Sequence, residues 1–151
     1  MTMTAPRTLP PGEIGVFDAA LAGDATAFGG AIALLGPGME SEEHERPNGG
    51  TDLRLHYAAT GGSIRLRGGQ PIVIRIPLRS DAGEPTYRDP AALIEGLDGE
   101  STRGEVEALL GEPDRASQIM DLYRYGDHYL RFDYQRGRVE VVSMTISGVE
   151  D

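Results

Sequence analysis

Asp24-Ala25-Thr26-Ala27-Phe28-Gly29-Gly30-Ala31-Ile32-Ala33-Leu34-Leu35-Gly36 returns, in pattern, as Gly99-Glu100-Ser101-Thr102-Arg103-Gly104-Glu105-Val106-Glu107-Ala108-Leu109-Leu110-Gly111. In the second stretch Thr102 and Glu105 form a capping box, Val106, Leu109 and Leu110 form an apolar stripe, and Gly111 is a stop signal. The first stretch carries the same Leu-Leu-Gly ending. Working outward, Ala19-Ala20-Leu21 is echoed by Ala91-Ala92-Leu93, and residues 69–78 align with residues 137–146. An internal echo of this kind decides the fold before any single element does.

In the second half Asp89-Pro90 opens a short helix, since proline suits the first helical position, and Gly96 can end it. Residues 122–125, 129–134 and 138–146 are separated by Gly126-Asp127-His128 and Gln135-Arg136-Gly137, the turn chemistry of a meander. Residues 52–58, 63–67 and 72–79 repeat the pattern in the first half, around Gly61-Gly62 and Gly68-Gly69. The expected fold is α+β, with two tandem helix-helix-β-β-β repeats forming one antiparallel sheet backed by short helices. The expected organisation is a flexible arm over 1–13, repeat 1 over 14–79, a linker over 80–88, repeat 2 over 89–147 and a tail over 148–151. Leu34, Leu35, Leu109 and Leu110 are the expected centre of the core.

The Leu-Leu-Gly pair, Gly111-Glu112-Pro113, Tyr123 and Tyr125 before a turn, and Phe132 ahead of Gly137 carry a resemblance that spans residues 14–147. Taken together the halves resemble the tandem repeat of the β-lactamase inhibitory protein family. Each half alone is similar to the small outer-membrane assembly lipoproteins of the SmpA/OmlA type. The first resemblance implies a protein-binding role in which the sheet face is the contact surface. The second implies a part in envelope assembly.

The chain has 151 residues and a net charge of −10, from 14 basic and 24 acidic side chains. That length fits one ordinary domain, able to fold without a disulfide or metal. There is no cysteine, so thiolate chemistry, zinc ribbons and iron–sulfur ligation are excluded. All the basic residues are arginine, and without lysine neither a P-loop nor a Schiff base is available. The acidic balance argues against nucleic acid, whose affinity comes from neutralised phosphates. No apolar run approaches the ~20 residues of a bilayer span, and the expectation is a cytoplasmic protein without membrane contact.

Strand alternation puts Leu53, Leu55, Tyr57, Ile64, Leu66, Ile72, Ile74, Ile76 and Leu78 on a face for the helices to cover. The opposite face receives Arg54, His56, Arg65, Arg67, Arg75 and Arg79, then Arg124, Tyr129, Arg131, Val141 and Ser143. Arginine and tyrosine are the residue types of binding hot spots. Arg54, Arg65, Arg67, Arg75, Arg124, Tyr129 and Arg131 are therefore expected to be exposed on one continuous surface, unless intramolecular acids engage them. A second candidate is the acidic segment around Glu40, Glu42, Glu43 and Glu45, read as a loop. His44, His56 and His128 have no metal spacing, no Gly-x-Ser-x-Gly elbow exists, and no cofactor is expected.

Two functions follow from these residues. One is a non-catalytic protein-binding module of inhibitor or immunity type, with a basic toxin or an enzyme as partner. The alternative is a small-molecule or anion-binding protein, or an enzyme of unknown chemistry, using the arginine-rich face. The discriminating feature is concavity, since a ligand site needs roughly 300 Å³ or more with converging polar groups.

Overall fold

The computed structural model describes residues 7–146. The expectations for residues 1–6 and 147–151 lie outside them. Chain order is α1 (Ile14–Leu21), α2 (Ala25–Leu35), β1 (Met39–Glu45), β2 (Thr51–Tyr57), β3 (Ser63–Arg67), β4 (Gln70–Pro77), α3 (Pro90–Leu93), α4 (Arg103–Leu110), β5 (Arg115–Ala116), β6 (Met120–Tyr125), β7 (His128–Gln135) and β8 (Arg138–Ile146). The eight strands form one sheet in the order β1-β2-β3-β4-β8-β7-β6-β5, antiparallel throughout. That order reads the same from either end when each strand is exchanged for the one four places on. The seam is β4 against β8, where Ile76 faces Val142 and Arg75 faces Ser143.

Local chemistry sets the helix ends. The Asp24 carboxylate accepts from the Ala27 amide at the start of α2, and Thr102 and Glu105 close a reciprocal capping box on α4. Gly36 and Gly111 follow the two helices with φ of 82° and 89°, a backbone conformation that favours glycine. One sheet face is buried under α1 and its neighbours. There Tyr57, Ile64, Ile74, Ile76, Tyr123, Leu130, Phe132, Val142 and Met144 join Ile14, Phe17, Leu35 and Val106 in a single core. Both halves carry a register shift at matching places, at Arg65/Leu66 beside β4 and at Asp133/Tyr134 beside β8. The second lets Val139 and Val142 both face inward despite being three residues apart.

Three expectations are corrected. The segment of Glu40, Glu42, Glu43 and Glu45 is not a loop but the edge strand β1, whose seven residues all pair with β2. Its polar sequence has no apolar alternation, so a pattern reading finds no strand there, and pairing with β2 supplies what propensity does not. With β1 and the short β5, each half has four strands rather than three. Residues 7–13 are tied to the second half instead of leaving structure to start at Ile14. Arg7 donates to the Leu110 and Glu112 carbonyls and lies over the Tyr123 ring, while Pro11 and Glu13 exchange backbone hydrogen bonds with Glu95 and Ala92. Leu109, expected at the core, is 48% exposed, and Leu34 and Leu110 are half-buried, leaving Leu35 alone of the four fully inside. The asymmetry comes from α3, which at four residues is too short to flank α4 as the eight-residue α1 flanks α2.

Among the described residues no helix is long and apolar enough to cross a membrane.

Candidate functional site

The helices cover only one face of the sheet. On the other, strand pairing sets side chains in rows, because directly opposed residues of an antiparallel pair share a face with their Cβ atoms about 4.5 to 5.5 Å apart. One row runs Glu40, His56, Ser63, Arg75, Ser143, Arg131, Leu122, Arg115. The next runs Glu42, Arg54, Arg65, Val73, Thr145, Tyr129, Arg124. Where the rows cross the four central strands and β2, the face is hollowed into a trough of about 530 Å³. Arg54, Arg65, Arg75 and Arg131 line it together with Ser63, Val73, Ser143 and Thr145, and so do Asp133 and Glu140. A second hollow, against residues 80–85 of the linker, shares Arg75, Glu140 and Val141 with the first, so Arg75 stands where the two meet.

The arginines differ in what engages them. Arg65 Nε lies 2.9 Å from Asp52 Oδ2, and Arg67 bonds both oxygens of the same carboxylate at 2.9 Å. Arg46 approaches it to 3.3 Å. Asp52 is 1% exposed, and hydrogen bonding from Arg67, then Arg65, holds its pKa at about 2, down from 3.8, against the opposing effect of burial. Arg131 forks onto Asp133 at 2.9 to 3.2 Å. Arg54 and Arg75 have no carboxylate within salt-bridge distance among the described residues. Arg54 is moreover placed directly opposite Arg65, a like-charge pairing that costs stability unless something offsets it.

The trough therefore gathers Arg54, Arg65, Arg75 and Arg131 from the sequence-based set. Arg67 is turned onto Asp52 outside the trough. His56 shares the face, with Nε2 3.7 Å from Glu42. Arg124 and Tyr129 sit toward the far edge, Arg124 bonding the Gly126 carbonyl and lying 6.0 Å from the Tyr129 ring centroid. Of the side chains expected to be mostly exposed, Arg75, Arg124 and Arg131 are exposed, whereas the Arg65 side chain is 17% exposed and Arg54, Arg67 and Tyr129 are half-buried. All four β1 glutamates are exposed, but they divide by alternation, Glu40 and Glu42 on the arginine face and Glu43 and Glu45 on the other.

Asp52, Ser63 and Thr145 were missed as contributors. Asp52 was legible in principle, as it occupies an outward position that the hairpin register sets beside Arg67. The Ser63 and Thr145 hydroxyls offer no sequence signal, because serine and threonine on a half-exposed strand are ordinary. The second buried carboxylate, Asp121, belongs to the other face: Arg103 reaches it at 2.7 Å and the Tyr134 hydroxyl donates to it at 2.8 Å, which clamps α4 to β6. Burial and that acceptor raise the Tyr134 pKa. No group of three or more potential metal ligands occurs among the described residues. Compared with known proteins, the chain matches no family model, no curated protein and no solved structure.

Proposed function

We propose that this chain is a non-catalytic binding module of inhibitor or immunity type that holds a protein partner on the bare face of its sheet. The observation that carries this is the trough itself, in which Arg54 and Arg75 lack an ion-pair partner among the described residues although the protein is strongly acidic. Arginine lining a depression is a typical binding anchor, and a broken local rule such as the Arg54–Arg65 pairing often marks a surface under functional demand. The resemblance to the inhibitory protein family points to the same face. The strand order, and the two register shifts at matching places, also support the tandem-duplication reading, in which the trough lies across the seam between repeats. A cytoplasmic location is part of this proposal.

The volume of the trough favours one other reading, a small anionic ligand held in the same place. The two share a face and differ in occupant. For the first, the wild-type chain and an Arg54→Ala/Arg75→Ala variant are used as bait in native lysate, and the recovered partner is purified and titrated against both. The expected result is loss of binding in the variant with a nearly unchanged melting temperature. A partner that binds both forms equally places the interface elsewhere.

A further inference from the structure

We infer that Ser63, Arg75 and Ser143, with Arg54 beside them, form a subsite for a carboxylate. The inference rests on the reading of the bare sheet face as the binding surface, and it names the group recognised there. Ser63 and Ser143 flank Arg75 as its direct partners on β3 and β8. Each serine is only 7% exposed, yet neither hydroxyl makes a hydrogen bond to another described residue. Both hydroxyls line the trough on either side of an arginine that has no acid within salt-bridge distance among the described residues, so they are placed to donate to an acceptor from outside. A carboxylate suits all three. Its two oxygens match the guanidinium fork, and their remaining lone pairs can accept from the hydroxyls.

Spacing and charge argue in the same direction. Serine alternates with arginine along Ser63, Arg75, Ser143 and Arg131, so the two arginines stand two strand spacings apart, about 10 Å, and a small anion can sit beside one without bridging both. Arg131 is already held by Asp133. Glu140 faces the trough as well, so a second negative charge on the ligand would meet two carboxylates and the field of a molecule carrying −10. A monoanionic group is favoured over a phosphate dianion.

The carboxylate can come from a partner's acidic side chain or from a free small acid, and one titration separates them. The Nε–Hε resonances of the arginines are followed by ¹H–¹⁵N NMR at constant ionic strength. The probes are acetate, an N-acetylated and C-amidated Gly-Glu-Gly peptide, inorganic phosphate and chloride. A saturable shift of the Arg75 resonance with the peptide is expected, weakened roughly tenfold in Ser63→Ala/Ser143→Ala, which is what lost hydrogen bonds to a charged acceptor carry. Arg54, beside the subsite, is expected to shift with Arg75, and Arg75→Gln should abolish the Arg54 shift. Saturation by acetate but not by the peptide leaves the subsite standing with a free small acid as the source of the carboxylate. Preference for phosphate, equal response to chloride, no response to any probe, or unchanged affinity in the double serine variant overturns the subsite. The bait experiment then judges the sheet face separately.

Discussion

Asp52 keeps part of the arginine face from flying apart. Its carboxylate lies under Arg46, Arg65 and Arg67, and its folded-state pKa of about 2 lies below the 3.8 of an unperturbed aspartate. A depressed pKa contributes stability that is present above 3.8 and fades as pH falls toward 2. Asp52→Asn is expected to lower stability by on the order of 2 to 3 kcal/mol near neutral pH, less than a fully buried pair because the arginines are partly solvated. In urea unfolding at a series of pH values, the gap between wild type and variant should close below 3.8. A gap independent of pH would show that the carboxylate's charge is not what matters. Arg65 and Arg67 are correspondingly poor probes of binding, since truncating them uncovers a buried acid.

At the scale of elements, the same Leu-Leu-Gly ending does different work on α2 and α4. Leu35 is wholly buried while Leu109 lies along a groove lined by Arg7, Pro10, Pro11 and Gly96. Leu35→Ala should therefore cost about 2 to 5 kcal/mol in denaturant unfolding, and Leu109→Ala about 0.5 kcal/mol or less. Equal losses would mean that α4 is covered as α2 is. The helices, the capping box of α4 and strands β2 to β4 and β6 to β8 were legible because capping boxes, glycine stops and period-two alternation are local signals, whereas Asp89, read as a cap, makes no side-chain capping bond. The strand β1 was not, since Met39 to Glu45 offers no apolar face and owes its conformation to β2. Nor was the depth of Leu109, because coverage of α4 depends on the length of α3, which is brought near only in the fold.

At the scale of the molecule, β4 and β8 join the halves through a continuous ladder, and α1 lies against both strands. Separated halves would each expose a long apolar strand edge, so the chain should unfold in one cooperative step despite its internal echo. Far-ultraviolet circular dichroism and tyrosine fluorescence are expected to give coincident transitions. Two resolved transitions would show that each half is stable alone. The acidic sequence by itself determined the exclusions of thiolate, P-loop and Schiff-base chemistry, the α+β pattern and which strand residues share a face, because composition and alternation are properties of the chain. Only the tertiary structure decided which arginines are engaged. Asp52, Arg65 and Arg67 meet because a hairpin register sets them side by side, whereas Arg54 and Arg75 are left facing a hollow whose walls come from five strands, and no local pattern encodes a distance between strands remote in sequence.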